Sequence, residues 1–411
     1  MHVLNRSNDI MQKEATVAII GGGISGLVCA ARLQQLGVNG ATVFDTGQHA
    51  AGGRCSSRTV NINGKIHIFD HSAQYFTVSD SRFAKIVSYL HSKGAVKVWN
   101  GPIGHIKNGR FEKDTNLTQA FVGIEGMRSI SNCLASNLRI KHPTWVANVS
   151  WDSSMKKWNV ERHGYFDYLV IAHNGKCADK LMSGANVPAV HRLLQVRFSD
   201  CLNLKEQKMH LCSLWVVMVA FPKSLNLSYE GAHVEDDDDI SWIGNNSAKL
   251  SKSGYSSPTD STECWTIFST KQFGSANKVS QENIPPKKSE EVTNKLLSAF
   301  GRVTKLSSKL PPPCFTKAQL WGAAVPLNVL QTTEECVFDG QHNVGICGDW
   351  LVSPCIQGAA ISGLALAERI SKHLSGLDSS STSLTPVFSP ANSSTLGEFP
   401  TNSSLIFNPK T

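Results

Sequence analysis

Six residues near the start of the chain, Gly21-Gly22-Gly23-Ile24-Ser25-Gly26, fit G-x-G-x-x-G. In such a turn Gly21 permits the tight bend, Gly23 lets the backbone approach a pyrophosphate, and Gly26 lets a helix pack on a strand. Ile24 and Ser25 open that helix, whose unpaired N–H groups and positive dipole end attract phosphate. Asp45 lies 19 residues past Gly26, close to the ~20 expected of an acid that holds a ribose hydroxyl. A second glycine pair follows in Gly52-Gly53-Arg54, where Gly53 admits another backbone segment and Arg54 can pair with a phosphate. Near the other end, Gly348-Asp349 offers a carboxylate to a ribityl or ribose hydroxyl. Gln357-Gly358-Ala359 then opens a last helix, able to stabilise negative charge on a reduced ring.

These groups need elements to position them. Residues 15–20 (ATVAII) read as a buried parallel strand, 27–36 as a helix stopped by Gly37, and 41–44 as a second parallel strand. Together they form a β-turn-α-β unit of about 30 residues. Residues 145–151, 157–162 and 167–172 read as three short antiparallel strands with polar turns. Residues 205–222 and 263–270 read as longer strands of a second sheet. A linker at 281–289 precedes a helix at 290–300, and Pro311-Pro312-Pro313 breaks the chain again. A buried strand at 343–347 and a helix at 358–374 close the ordered part. From residue 375 onward Ser, Thr, Pro and Asn dominate, the composition of a disordered tail.

Composition narrows the function classes. At 411 residues the chain has material for two or three domains. A hydrophobic share of 41% with 18% charged residues excludes a wholly disordered or fibrous chain. The net charge of +8 favours phosphate-bearing cofactors, but the basic residues form no long run, so nucleic acid is not expected as a partner. The longest strongly apolar stretch, 211–221, is too short for a transmembrane segment. Eleven cysteines without a Cys-x-x-Cys pair point to reduced thiols in an intracellular compartment. No metal site is expected: His-Glu-x-x-His and paired Cys/His spacings are missing from the sequence, as is Gly-x-Ser-x-Gly.

The three glycine-and-acid segments together resemble the FAD-binding signature of the flavin amine oxidase superfamily. Within it, the chain is most similar to renalase-like FAD/NAD(P)-binding oxidoreductases. Residues 69–77 (FDHSAQYFT) resemble that group's D-H-G-A-Q-Y-F-T segment, 123–127 (GIEGM) its G-x-x-G-M, and 321–326 (WGAAVP) its W-x-x-A-x-P. Two positions depart from the pattern: Ser72 replaces a glycine, and Gly322 and Ala323 stand where basic residues often follow the tryptophan. The resemblance implies an α/β fold, a Rossmann-type FAD-binding domain with a second α+β substrate domain on a mainly antiparallel sheet. The FAD domain would comprise 15–74, 123–176 and 320–374, the substrate domain 75–122 and 177–319, with a tail at 375–411. It adds Gln74 and the backbone of Val146 to the FAD contacts, and Tyr75, Phe76, Trp321 and Trp350 as walls of a flat slot for the substrate. No side chain is given a catalytic role, because the isoalloxazine would carry the redox step.

The implied function is a FAD-dependent oxidoreductase taking hydride from a small planar or amine-like donor, such as an NAD(P)H-like dihydronicotinamide, with O2 as acceptor. Two alternatives stand beside it. One is a FAD-dependent dehydrogenase of a hydrophobic metabolite such as a porphyrinogen or carotenoid precursor; the other is an inactive flavin-fold binding protein. The expected compartment is the cytoplasm, or the plastid on family grounds.

Overall fold

A computed structural model of the chain describes residues 15–250 apart from 118 and 204, and 261–391 apart from 379. The apolar run β1 (Thr16–Ile20) lies near the middle of a six-stranded sheet, between β2 (Gly40–Phe44) and the strand Tyr168–Ile171, parallel to both. Val344–Ile346 continues the parallel order beyond Tyr168–Ile171, and Val337–Asp339 closes that edge antiparallel. The near-continuous hydrophobicity of β1 follows from burial on both faces. Val17 and Ile19 pack with Cys29 and Leu33 of α1 (Ile24–Gln35) and with Leu366 and Ile370 of the C-terminal helix Ile356–Leu374. Ala18 and Ile20 face the other way, toward Phe44, Trp158, Leu169 and Leu193. The two helices cross closely at Gly363, where a Cβ would stand 2.3 Å from the Ser25 carbonyl oxygen.

The second domain is an eight-stranded sheet among the described residues, built around Met209–Phe221, which is buried along its whole length. This strand pairs antiparallel with Glu263–Ser269 and Phe315–Pro326 and parallel with Val196–Phe198. Its alternation sorts the two faces. Trp215, Val217, Val219 and Phe221 bury against Leu296 and Phe300 of the helix Pro286–Val303. Val216 and Met218 face the first domain, among Phe76, Trp242 and Phe69. The hairpin β3 (Ser57–Ile62) and β4 (Lys65–Asp70) bridges the domains.

Several boundaries differ from the sequence expectation. The antiparallel meander is Val149–Asp152, Lys157–Val160 and Gly164–Phe166, and residues after Asp167 join the parallel sheet instead of a third meander strand. The helix Pro286–Val303 takes in the last four residues of the expected linker, with proline at its first turn where a missing N–H costs nothing. The strand Phe315–Pro326 runs straight through the expected domain boundary at 319/320. The expected tail begins too early. Phe388–Pro390 pairs antiparallel with Asn328–Leu330, buried Phe388 stacks on Trp350 at 6.3 Å, and Asp378 is ion-paired with Arg369. The remainder of the expected tail, 392–411, lies outside the described residues, as does the 251–260 stretch.

Candidate functional site

The C-terminal ends of the parallel strands open into a cavity of about 730 Å³ that continues along the strand Phe315–Pro326. Open α/β sheets place ligands at this edge. Gly21, Gly23, Ile24 and Ser25 line it at one end, and a Cβ on Gly23 would meet no protein atom within 4 Å. Packing therefore does not demand glycine at 23; the space it leaves is open to a ligand. Gly21, at φ +113°, has no such room: a Cβ there would lie 2.9 Å from the Ala172 backbone. Gly26 faces the protein, where a Cβ would stand 2.1 Å from the Gly21 carbonyl oxygen. It is the contact that sets helix on strand.

Asp45 ends β2 on the cavity wall. Its Oδ2 accepts from the Gly22 N–H at 2.8 Å and its Oδ1 from the Gly47 N–H at 2.8 Å. Each oxygen keeps a lone pair for a further donor. Gly53 brings a second backbone segment against the turn, its Cβ position 3.6 Å from Gly23 Cα. Arg54 departs from the expected phosphate contact. Its guanidinium donates to both Asp349 oxygens at 2.8 Å and to the Ala324 carbonyl at 3.1 Å. Asp349, which follows the strand Val344–Ile346, is thus held in place by a bidentate partner, and both residues line the cavity. Beyond them Trp350 is buried, with its indole N–H unpartnered among the described residues.

Trp321 lines the far part of the cavity. Its Nε1 donates to the His71 carbonyl at 2.7 Å, and its ring stacks on His71 at 5.6 Å. Burial, with Arg58 nearby, pushes His71 down to about 4, so this imidazole is neutral near pH 7. His173 lines the cavity beside Ile20, whose carbonyl its Nδ1 contacts at 3.0 Å; burial holds it below the ordinary histidine range too. Neither ring can serve as a cation for phosphate at neutral pH. The C-terminal helix begins at the same wall, with the Cys355 sulfur accepting from the Gly358 N–H at 3.3 Å.

The cavity brings together Gly21, Gly23, Ile24, Ser25, Asp45, Gly53, Arg54, Val146, Asp349, Ala359, Trp321 and Trp350. It does not include Gln74, whose buried amide donates to the Asp70 and Ser72 carbonyls. Gln357 points elsewhere, accepting from the Ser79 and Asp80 N–H groups, and Gly358 packs on the Ser353 carbonyl. Tyr75 and Phe76 are not slot walls. Tyr75 reaches His233 Nε2 at 3.3 Å, and Phe76 stacks on Phe121 in the core between the domains. The segment skirts the cavity at Ser72 and Ala73 and then turns into the interior, where Tyr75 and Phe76 are packed. Sequence reasoning missed Lys176, Phe198 and the 278–282 segment, which also line the cavity. They carry no motif. The only signal was Asn174-Gly175 after a buried strand, a turn at the ligand edge of the sheet.

Residues 19–90 match the family described as NAD(P)-binding Rossmann-like domain. Among solved structures, a reduced UDP-galactopyranose mutase superposes with a TM-score of 0.61 at 11% identity, covering 89% of this chain and 95% of that one. Cyclohexylamine oxidase from Brevibacterium oxydans IH-35A gives 0.58 at 12% identity, covering 88% and 100%. Putrescine oxidase bound to putrescine gives 0.55 at 12%, covering 87% and 98%. The likeness is one of fold: a Rossmann-type α/β domain carrying a second domain on a mainly antiparallel sheet. No helix of the described residues is long and apolar enough to cross a membrane.

Proposed function

We propose that the cavity holds FAD and that the protein is a FAD-dependent oxidoreductase of a small planar or amine-like donor. The observation that carries this reading is convergence. Gly21, Gly23 and Gly53, the carboxylates of Asp45 and Asp349, and the wall at Trp321 come from distant parts of the chain and share one elongated cavity. The residues present fit the group. Gly23 leaves an uncovered backbone at a helix N-terminus for a pyrophosphate, Asp45 keeps acceptor capacity for a ribose, and Trp350 has an unpaired buried N–H to offer a carbonyl oxygen. Bound FAD would supply a two-electron acceptor for a donor's hydride, with O2 as final acceptor.

The chain's own residues do the positioning. Arg54 holds Asp349 so that its outer lone pairs face the ligand. Trp321, fixed by its bond to the His71 carbonyl, gives a rigid flat wall against which a planar donor can lie. Ala323, Ala324, Ile356 and Ala359 make the surrounding surface apolar and exclude water. The N-terminus of the helix Ile356–Leu374 stabilises negative charge there. The D-H-S-A-Q-Y-F-T segment and Trp321 support a renalase-like member with a dihydronicotinamide-type donor. The test is a visible spectrum of the purified chain with added FAD, and the same for Asp45→Ala with its fold checked by circular dichroism. Flavin bands in the wild type and at least a tenfold weaker hold on FAD in the variant are expected. A folded wild type that takes up no FAD overturns the reading.

A further inference from the structure

Beside Trp321 the strand Phe315–Pro326 offers the cavity only the uncharged Gly322 and Ala323. Positive charge reaches that side of the cavity from two other elements. Lys176 opens the helix Lys176–Ser183, next to the end of a parallel strand, and Lys278 follows the short helix Lys271–Ala276 of the other domain. More than a hundred residues apart in sequence, they meet on one ring. The Lys278 ammonium lies 3.6 Å from the Phe198 ring centroid and the Lys176 ammonium 5.6 Å from the same centroid. Both line the cavity, together with Gly322, whose N–H donates to Gln281 at 2.8 Å.

Two ammonium groups at one place repel each other, and more so beside a protein cavity than in open water. Both side chains are exposed at the cavity rim, and partial desolvation with the neighbouring Lys176 holds Lys278 below the ordinary lysine range. Neither lysine has an ion-pair partner among the described residues. Nearby acids do not fill the role. Asp179 is 2.7 Å from His191, and Glu282, on the same rim, accepts from the Ser280 hydroxyl and lies outside ion-pair distance of either lysine. Lys288, close by in sequence, differs in being engaged by Asn277 and Glu291. The turn before Lys176 adds a third feature. Gly175, at φ +81°, leaves the helix N-terminus without a side-chain cap. Two converging cations at a cavity wall, unmatched by acid, are complementary to a multiply charged anion.

We propose that Lys176 and Lys278 form an anion site that holds a phosphate group of the small molecule oxidised in the cavity. This rests on the functional reading above. It makes the donor a phosphate-bearing molecule and distinguishes it from an uncharged or cationic amine. The Phe198 ring fixes the two ammonium groups by cation–π contact, so the site is organised before the ligand arrives.

The test is calorimetric titration of the full chain with sodium phosphate, against sodium chloride at equal ionic strength, with and without FAD. Wild type and Lys176→Gln/Lys278→Gln are compared, with FAD content read from the visible spectrum. Phosphate binding at least tenfold weaker in the double variant, at unchanged FAD content, supports the site. So does an upward move of the Lys278 titration on adding phosphate, followed by NMR of the lysine side chains, which a packing role would not produce. Equal phosphate affinity in both proteins overturns it. Loss of FAD along with phosphate also overturns it, since the lysines would then grip the cofactor's own pyrophosphate. Because phosphate binding is read without FAD as well, a wild type that refuses FAD but binds phosphate through these lysines separates failure of the cofactor reading from failure of the anion site.

Discussion

Arg54 and Asp349 show how two residues that each read as a ligand contact in their own segment can be partners of one another. They form a bidentate ion pair across 295 positions of sequence. A lone basic residue beside glycines looks like a phosphate group's partner because sequence cannot show which acid folds back to meet it. The pair has one side almost fully buried, with Asp349 5% exposed, while Arg54 is 34% exposed, toward the cavity. Arg54→Met therefore strands a buried carboxylate. The expected cost is ~1–3 kcal/mol, below the range for a pair buried on both sides. Urea denaturation measures it, and Asp349→Asn in the Arg54→Met background should recover part of the loss. Additive losses in that cycle would show that the two side chains do not depend on each other.

At the level of elements, the hairpin of β3 and β4 carries more than its short length suggests. Its last residue, Asp70, is completely buried. It accepts from the Ser57 hydroxyl and the Met127 N–H, lies 2.7 Å from the buried Lys249 ammonium, and gives its own N–H to Asn246. One carboxylate thus ties the hairpin to the helix Arg128–Ala135 and to the short helix Asn246–Leu250 of the other domain. Lys249→Met removes the only ion-pair partner of Asp70 among the described residues and should cost about 3–5 kcal/mol, read as a lowered urea midpoint. A change below ~1 kcal/mol would mean that Asp70 needs only its hydrogen bonds. The strands and helices of the Rossmann unit were legible because 2.0 and 3.6 periodicities and glycine punctuation are local signals. The Asp70–Lys249 junction was not, since a lysine in a polar stretch reads as solvated unless its partner is known. Tyr75 and Phe76 fail for a related reason: a matching segment fixes the backbone path, while neighbouring strands decide which side chains face the cavity.

At the scale of the molecule, the two domains share an interface where histidines are kept neutral. His71 stacks on Trp321 at the cavity, pushed down to about 4 by burial and by Arg58. His233 is buried beneath Tyr75 and is pushed down to about 3 by burial and by His105. In the unfolded chain both would titrate near the ordinary value of 6.5. Below that pH the unfolded state binds protons that the folded state refuses, so stability is fully present above about 6.5 and falls as pH drops toward the folded values. The paired carboxylates Asp80 and Asp167, held below their ordinary range by Arg82 and by Lys157, begin to lose their contribution only near pH 4. The interval between pH 6.5 and 4.5 therefore reports on histidines, with His163, His173 and His373, also held below their ordinary range, adding to the two at the interface. His71 and His233 should each remove roughly 2 kcal/mol of unfolding free energy across it. His233→Gln keeps an acceptor for the Tyr75 hydroxyl while abolishing titration, so its stability declines less steeply with acid, whatever its value at pH 7. Urea unfolding at half-unit pH steps reads that slope, and a variant whose slope matches the wild type would place the acid sensitivity elsewhere than at His233.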